Sequence, residues 1–342
     1  MKTVYTINHQ KIKELMNSFS VVIETENLGM AGVEDLRDTL DSLKNQNYPI
    51  NEAKEVLIIA AGHVSDETLT ALRNDYPWLV VHRENKKLEY TESKMRGAEL
   101  ATGEVVLFAD SDVVYDSTWL ENMLYGFIAC PGTTIITGET RIRGASVYAI
   151  AIQLIWMMNI VSSKFFPVPT NHFHLNNFAI KRSVMLSVPF FLGLPVYRAN
   201  TVEWKKQLFY RGYSAIRVPN ARGYHLPPGN IADWWYRMLV YGADAVVKAD
   251  FYFEYNHSVI EKFSPIRRLL RIPLFIGFKI VTFFKRLLVM AQEKPMLLLK
   301  IIASLPIVLA SLVVSIIGMS IALVRRDYIF NLATQRENEH VV

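Results

Sequence analysis

The chain has 342 residues and a net charge of +5, with 51% apolar and 20% charged residues. Such a composition can bury a large core, which excludes a disordered or collagen-like chain. The single cysteine, Cys130, cannot form an internal disulfide, so a disulfide-stapled secreted scaffold is excluded as well. Near the N-terminus there is no apolar stretch of signal-peptide length, and we expect the bulk of the protein to be cytoplasmic.

From residue 20 to about residue 128, the chain alternates between strand-like and helix-like segments. Strands are predicted where short apolar runs occur, at residues 20–26, 55–61, 79–84 and 104–110. Helical apolar spacing predicts helices at 33–46 and 65–76, and Ser65 is the expected N-terminal cap of the second. This alternation is typical of an α/β fold built from βαβ units.

Asp110-Ser111-Asp112 stands directly after the fourth predicted strand, which is almost wholly apolar and therefore central. In an open α/β sheet, ligands bind beyond the carboxyl ends of such strands. Two carboxylates two residues apart at a strand end can both reach one divalent cation and the phosphates that it carries. A bare D-x-D is common in solvated loops, but this position, followed by a helix-like segment at Trp119, favours a functional site.

Residues 18–240 resemble the family 2 glycosyltransferases with the GT-A fold. The pieces that match in the first half are Glu24-Thr25-Glu26-Asn27 at the first strand end, Lys94-Met95-Arg96-Gly97-Ala98, Ala101-Thr102-Gly103-Glu104 and the D-x-D. A looser second half includes Asn176-Asn177-Phe178, Val202-Glu203-Trp204, Gly212-Tyr213 and His225. The resemblance implies a Rossmann-like nucleotide-diphospho-sugar transferase domain.

The resemblance also implies roles for individual residues. Asp110 would contact the ribose or the metal of a nucleotide sugar, and Asp112 would bind Mg²⁺ or Mn²⁺, which neutralises the diphosphate leaving group. His225 would be either a further metal ligand or a capped loop histidine. Lys94 would reach a phosphate or the ribose, the alternative being a solvated lysine.

The expected pocket for the nucleobase departs from the family pattern. Thr25 and Asn27 would line the pocket for the base and ribose. Family members commonly carry an Asp pair after the second strand, and this chain has Ala60-Ala61 there. Either Glu24, Glu26 or backbone groups hold the base, or the donor is not the usual UDP-sugar.

The expected catalytic base departs from the pattern too. An inverting transfer needs a carboxylate within hydrogen-bond reach of the acceptor hydroxyl. Asn200-Thr201 occupies the place of the family's acidic pair, and the nearest acid is Glu203. We take Glu203 as the predicted base. The alternatives are an ordinary surface Glu and, for the whole chain, a degenerate nucleotide-sugar-binding subunit without its own catalysis.

Two apolar stretches in the second half have a predicted role. Trp234-Trp235-Tyr236-Arg237-Met238 partly resembles the Q-x-x-R-W element of processive and lipid-directed relatives and keeps only its Arg. Arg237 would clamp the diphosphate or the acceptor, because a guanidinium binds such groups through two parallel hydrogen bonds. Residues 147–161 are too few to span a membrane and are expected to be core; alternatively, they face the bilayer and guide a lipid acceptor.

The apolar excess and the positive charge are concentrated near the C-terminus. Residues 301–324 contain no ionisable side chain, and as a helix of about 36 Å they could cross a hydrocarbon core about 30 Å thick. Residues 262–300 hold nine basic residues and one acid, whereas residues 1–261 carry a net charge of −3. The basic excess before the span predicts a cytoplasmic catalytic domain, and the acidic globular part argues against nucleic acid as its partner.

A basic amphipathic segment precedes the predicted span. Its six basic residues between 267 and 286 fall within an arc of about 120° on a helix. This pattern is typical of a helix that lies in the membrane interface with its basic face toward anionic headgroups. The alternative is a second crossing by residues 269–290, in which Lys279 near the centre would cost about 2.5 to 3.5 kcal/mol.

These patterns predict the organisation of the whole chain. A GT-A catalytic domain at 1–255 would contain a nucleotide-sugar-binding half (18–128) and an acceptor half (129–255), followed by the basic amphipathic interfacial segment (262–294), a transmembrane helix (296–324) and a polar tail (325–342). The expected partners are a nucleotide-sugar donor, a lipid or glycan acceptor and a membrane. The expected cofactor is Mn²⁺ or Mg²⁺.

Overall fold

The computed structural model describes most of the chain. The described residues are 9–15, 18–26, 32–60, 64–155, 167–171, 173–190, 200–256, 271–325, 328, 329 and 331, with the backbone alone for 247–256, 271, 272 and 293. Asn27 and Ala61, which the sequence places at the base pocket, lie outside the described residues, and so do residues 262–270 of the predicted interfacial segment.

A mixed β-sheet forms the centre of the catalytic region. Four parallel strands stand at one side in the order β3 (Leu79–Arg83), β2 (Val56–Ala60), β1 (Phe19–Glu24) and β4 (Val105–Asp110). The sheet continues through β8 (Asn177–Lys181), β6 (Ile135–Ile142), β9 (Ala215–His225) and β5 (Val113–Tyr115), and β7 (Val168–Pro169) pairs with β9. The four strands predicted from apolar runs are confirmed, each within two residues of its expected bounds.

The helices connect and cover these strands. They are α1 (His9–Leu15), α2 (Val33–Lys44), α3 (Asp66–Asp75), α4 (Tyr90–Leu100), α5 (Trp119–Ala129), α6 (Val147–Ile155), α7 (Arg182–Ser187), α8 (Asn200–Tyr210), α9 (Ile231–Asn256), α10 (Arg271–Glu293) and α11 (Leu298–Val324). Ser65 caps α3 as predicted, because its hydroxyl accepts a hydrogen bond of 3.2 Å from the Thr68 amide.

The sheet has a separate apolar core on each of its faces, since successive strand side chains point to opposite sides. One core includes Ile23 and Leu107 and packs against α2 and α5. The other includes Val22 and Phe108 and packs against α4 and α8. Helix α4 lies very close to β1, because a Cβ atom at Gly97 would lie 2.2 Å from Val22 Cγ1. The polar residues that end β1 and β4 therefore lie beneath the first turns of α4.

Helix α11 packs against the catalytic region through small residues. A Cβ atom at Gly242 of α9 would lie 1.9 Å from the Ser315 carbonyl oxygen, and one at Gly318 of α11 would lie 2.0 Å from the Leu239 carbonyl oxygen. Other α11 side chains, such as Leu309, are exposed. By length and composition, Pro295–Val324 is the one helix in the described part of the chain that could cross a membrane.

Helix α6 belongs to the core, as expected for its part of the 147–161 stretch. Ile150, Ile152 and Leu154 are buried between the sheet edge and the C-terminal helices. The remaining residues of that stretch, 156–161, lie outside the described residues.

Helix α10 differs from the expectation that its basic residues share an outward face. Lys279 is buried and donates a hydrogen bond of 3.2 Å to the Ile155 carbonyl oxygen. Arg286 Nη1 donates one of 3.0 Å to the Leu154 carbonyl oxygen. The physical reason is that both cations donate to backbone carbonyl oxygens of α6, so their side chains point toward this helix rather than outward. The exposed side chains of α10 include Lys285 but are mainly apolar, such as Leu274, Phe278, Val281, Phe284 and Leu288.

Candidate active site

The D-x-D lies at the carboxyl edge of the sheet, where the sequence places it. Asp110 ends β4, and the chain then turns into β5, which pairs with β9 so that Val113 lies beside His225. This pairing brings His225 Nε2 to 3.2 Å from Asp112 Oδ2. Asp110 and Asp112 are each only 3% exposed. Two residues far apart in the sequence, Asp112 and His225, thus form one buried pair.

Asp110 is held by side chains of helix α4. Lys94 Nζ lies 2.6 Å from Asp110 Oδ1, and the Tyr90 hydroxyl donates hydrogen bonds of 3.0 and 3.2 Å to the two carboxylate oxygens. Lys94 is fully buried. It therefore contacts the carboxylate of Asp110, which differs from the expectation that it reaches a phosphate or ribose.

Glu24 adds a third carboxyl group to this buried cluster. In the parallel pairing of β1 and β4, Glu24 lies directly beside Asp110. Burial raises the pKa of Glu24 well above its ordinary value, the charge of Asp110 raises it further, and Lys94 opposes both. The Glu24 carboxyl group is consequently biased toward its protonated form.

The Asp112 carboxylate suits a divalent cation. Its Oδ1 atom is buried and has no hydrogen-bond partner among the described residues, whereas its Oδ2 atom faces His225. Burial raises the pKa of Asp112, while the nearby His225 lowers it. A cation at Oδ1 would satisfy that oxygen and favour the ionised carboxylate.

His225 is oriented for the same role. Its Nδ1 lies 2.5 Å from the Leu226 carbonyl oxygen. An Nδ1–H that donates to this carbonyl leaves the lone pair of a neutral ring on Nε2, which is the nitrogen next to Asp112. The described residues contain no group of three or more metal-ligating side chains. Two protein ligands suit a cation of the Mg²⁺ type, which commonly takes its remaining ligands from substrate phosphates and water.

Glu203 lies on the same side of the sheet as the D-x-D. It is 8% exposed on α8. At the start of α8, Asn200 Nδ2 donates a hydrogen bond of 3.1 Å to Thr91 Oγ1, which ties this helix to the first turn of α4. Glu203 follows Asn200 by three residues and so shares its helix face. The turn of α4 that Asn200 contacts is the one that carries Tyr90, a partner of Asp110.

Thr25 and Arg237 complete the predicted site residues that the structure describes. Thr25 is buried, and its hydroxyl donates a hydrogen bond of 3.1 Å to the Ile59 carbonyl oxygen of β2. Burial raises the pKa of Asp112, and the positive charge of Arg237 on α9 is one of the nearby charges that oppose this rise.

Two aromatic residues that contact Asp110 were not predicted from the sequence. Tyr90 was signalled only by its position four residues before Lys94, on the same face of α4. Tyr115 accepts a hydrogen bond of 3.1 Å from the Asp110 amide and donates one of 2.7 Å to the Asn176 carbonyl oxygen. Nothing in the spacing of Tyr115 indicates this role, because its partners lie on different strands.

Comparison with known proteins agrees with this fold. Residues 20–188 match the sequence model of the family described as Glycosyl transferase family 2. A glucosyl-dolichyl phosphate glucuronosyltransferase from Haloferax volcanii is 27% identical over 122 residues, which are 35% of this chain and 37% of that protein. The chain therefore aligns with little more than a third of this curated relative.

Two solved structures are similar as well. The mannosyltransferase PcManGT from Pyrobaculum calidifontis, in complex with GDP-Man and Mn²⁺, superimposes with a TM-score of 0.51 at 16% identity and covers 97% of this chain and 91% of that one. GalNAc-T7 with UDP, GalNAc and Mn²⁺ gives a TM-score of 0.49 at 15% identity, over 64% of this chain and 45% of that one. The family match over 20–188 and the parallel strands that end in the D-x-D lead to one conclusion: residues 20–188 form a family 2 glycosyltransferase domain, and the chain has the GT-A fold.

Proposed function

We propose that this glycosyltransferase moves a sugar from a nucleotide-sugar donor to a lipid-linked acceptor at a membrane, with inversion and with a divalent cation. The observation that carries the proposal is the Asp112 carboxylate at the buried carboxyl edge of the sheet, whose Oδ2 faces His225 Nε2 and whose Oδ1 has no hydrogen-bond partner among the described residues. The donor and cation are supported by PcManGT, which was solved with GDP-Man and Mn²⁺. The acceptor is supported by the relative that is named for a glucosyl-dolichyl phosphate.

The buried acids and their neighbours would have separate roles in binding the donor. Asp112 and His225 would hold the cation, which when bound neutralises the diphosphate of the leaving group. Asp110, fixed by Lys94 and Tyr90, would orient the ribose or the cation. Arg237, within electrostatic reach of Asp112, would clamp the diphosphate.

Glu203 would act as the base of the transfer. The acceptor hydroxyl gives its proton to the Glu203 carboxylate, its oxygen forms the new bond to the anomeric carbon, and the bond from that carbon to the diphosphate oxygen breaks. The leaving group departs as a nucleoside diphosphate. Attack from the side opposite the diphosphate inverts the anomeric configuration.

A Glu203→Gln variant tests this assignment. The amide cannot take the proton, so we expect the transfer rate to fall by about 10²- to 10⁴-fold while the donor still binds. Both are measured on purified protein, as sugar transfer and as donor binding by calorimetry. Glu34→Gln, on the exposed start of α2, is the control and should transfer at the normal rate. Normal transfer by Glu203→Gln would remove Glu203 from the mechanism, and absence of transfer by the wild-type chain with every donor would favour the non-catalytic subunit.

A groove next to the site suits the hydrocarbon part of a lipid acceptor. The groove has a volume of about 530 Å³ and lies between α10, α11 and the end of α6, where Leu154, Phe283 and Leu309 contribute to its walls. Arg143, four residues before α6 begins, donates its amide hydrogen to the His225 carbonyl oxygen over 2.8 Å. Helix α6, of nine residues and about 14 Å, therefore runs from the vicinity of His225 to the groove.

We place this machinery at a membrane surface. Helix α11 is long and apolar enough to cross a bilayer, and the exposed apolar side chains of α10 would face lipid. The basic excess before α11 supports a cytoplasmic catalytic domain. We propose the division into a catalytic domain (1–255), an interfacial segment (262–294), a crossing (296–324) and a tail (325–342) on this basis.

A further inference from the structure

The carboxyl end of β3 carries an acid on the same face of the sheet as the D-x-D. Glu84 follows β3 directly, and its amide donates a hydrogen bond of 2.9 Å to the Ala60 carbonyl oxygen at the end of β2. His82 pairs in register with Ile59, whose side chain lies in the core beneath α4. Because strand side chains alternate, Glu84 shares the face of His82, and this is the face of Glu24 and Asp110.

One oxygen of the Glu84 carboxylate is fully engaged and the other is not. Oε1 lies 2.6 Å from Arg96 Nε and 2.9 Å from His82 Nε2. No described residue hydrogen-bonds to Oε2, and the side chain is 18% exposed. The hydrogen bond from Arg96 lowers the pKa of Glu84, with the one from His82 acting in the same direction, so the group is an ionised carboxylate that only accepts hydrogen bonds.

The position of Glu84 matches the far end of a bound nucleotide. Strands β3, β2, β1 and β4 are consecutive neighbours, so about 14 Å separates the ends of β3 and β4 at the usual strand spacing. A nucleoside diphosphate whose phosphates lie at Asp112 and whose base extends along this edge would bring the base toward β3. Ala60, at the intervening end of β2, has no polar side chain with which to contact a base.

We propose that Glu84 recognises the nucleobase of the donor by accepting a hydrogen bond from a ring N–H at the Watson–Crick edge, which uracil and guanine carry and cytosine and adenine lack. The proposal rests on the proposed function, because it assigns the base end of the same donor site. Adenine and cytosine present a ring nitrogen lone pair at the corresponding edge. This lone pair and the carboxylate are both hydrogen-bond acceptors, so they would repel each other. Arg96 and His82 hold Oε1, and this leaves Oε2, which no described residue contacts by a hydrogen bond, to accept the N–H of the base.

Binding of four nucleotides tests the assignment. UDP, GDP, CDP and ADP are titrated with Mn²⁺ into the detergent-solubilised full chain, and the Kd values are measured by calorimetry. For the wild-type chain, we expect UDP or GDP to bind about tenfold or more tightly than CDP and ADP. In Glu84→Ala this preference should fall to within about threefold, while CDP and ADP keep their affinities because they share the diphosphate contacts.

Two further variants keep the test specific. Glu84→Gln retains the side-chain volume and should also lose the preference, because its amide offers both a donor and an acceptor. Glu99→Gln is the matched control, since Glu99 is the other acid that contacts Arg96, over 3.2 Å, and it lies on the exposed side of α4. Glu99→Gln should keep the wild-type preference. The preference is a ratio of affinities, so a lower fraction of folded protein does not change it.

The outcomes separate the two proposals. An unchanged preference in both Glu84 variants, or a wild-type preference for CDP or ADP, would overturn the role of Glu84 and leave the proposed function in place. If the wild-type chain bound none of the four nucleotides, the proposed function would be wrong and the role of Glu84 with it.

Discussion

At the scale of single residues, the site depends on charges that are buried in pairs. Lys94 is fully buried with its Nζ atom 2.6 Å from Asp110, and it also lies 4.5 Å from the centre of the Tyr90 ring. Removal of one partner of such a pair leaves an uncompensated charge in the interior, which is far more costly than loss of an exposed ion pair. Lys94 therefore fixes Asp110 and also stabilises the fold around it.

Lys94→Met should lower the free energy of unfolding by about 3 to 5 kcal/mol, because Asp110 is left buried without its cation. Chemical denaturation of the purified chain measures this change. The control Lys44→Met removes an exposed lysine of α2 and should change stability by no more than about 0.5 kcal/mol. Addition of Asp110→Asn to Lys94→Met should recover part of the loss, and equal stability of Lys94→Met and Lys44→Met would contradict the role of the pair.

Glu55 makes a pH-dependent contribution away from the site. It accepts hydrogen bonds from Ser20 Oγ and from both the amide and the hydroxyl of Thr102, at 2.7 and 2.6 Å. Burial alone would raise the pKa of Glu55, but these hydrogen bonds outweigh it and hold the pKa below the ordinary value. The stabilisation is therefore complete above the unfolded-state pKa and is lost as the pH falls through the folded-state pKa.

Glu55→Gln should destabilise the chain by about 1 kcal/mol at pH 7, a modest value because the carboxylate is partly exposed. The difference from the wild type should shrink as the pH falls below the ordinary Glu pKa of about 4.3, where the wild-type carboxyl is protonated too. Unfolding curves at pH 7 and at pH 3 measure it. Glu67→Gln, exposed on α3, is the control. A destabilisation of Glu55→Gln that is equally large at both pH values would be inconsistent with this account.

The positions of these residues were only partly predictable. Asp110 and Asp112 could be located from the sequence, because a polar pair directly after a buried strand must lie at the sheet edge. The partner of Lys94 could not, since the direction of a side chain on α4 depends on how closely the helix approaches β1. The proposed role of Glu84 could not be predicted for a similar reason. It depends on the position of Glu84 beside Ala60, which ends the neighbouring strand β2.

At the scale of elements, the contact between α9 and α11 joins the apolar C-terminal helix to the catalytic region. Gly242 and Gly318 let the two backbones approach, and Trp234 Nε1 donates a hydrogen bond of 3.0 Å to Ser311 Oγ across the same interface. Close approach through small residues is a common way for apolar helices to associate. Because α9 also carries Arg237, this interface positions a proposed site residue as well as the helix that is long enough to cross a membrane.

Gly318→Ala should weaken this interface by about 1 to 3 kcal/mol, because the new Cβ would lie 2.0 Å from a backbone oxygen that can move only with its helix. Thermal unfolding in detergent measures the effect. Gly277→Ala in α10 is the matched control, since no atom lies within 4 Å of its Cβ position, and it should be neutral or stabilising by up to about 1 kcal/mol. Equal behaviour of the two variants would contradict the packing of α11 on α9.

The periodicity of α10 predicts a helix but does not predict which parts of the protein its two sides contact. The spacing of its apolar and basic residues predicts a helix, and the described residues Arg271–Glu293 form one. It does not indicate what each side meets, and Lys279 and Arg286 turned out to face the end of α6. The deciding factor is the position of two carbonyl groups on another helix, which no local pattern reveals.

At the scale of the whole molecule, the strands of the first half were predictable from the sequence, and the strand pairing of the second half was not. Residues 18–128 alternate strand and helix, and such βαβ units place each strand next to another in parallel. Beyond them, β8 inserts between β4 and β6, antiparallel to both, and β9 returns beside β6. These pairings join residues far apart in the chain, as with Val113 and His225, and are set by long-range packing rather than by local pattern.

The most direct test of the central claim is the rate of sugar transfer to a lipid-linked acceptor, measured with Mn²⁺ and with EDTA. We expect the wild-type chain to transfer sugar with Mn²⁺ and EDTA to abolish this transfer, and we expect Asp112→Ala to lose at least about 10²-fold of the rate with Mn²⁺ present. Asp75→Ala, on the exposed surface of α3, should retain the wild-type rate. Transfer by Asp112→Ala at the wild-type rate would contradict the account.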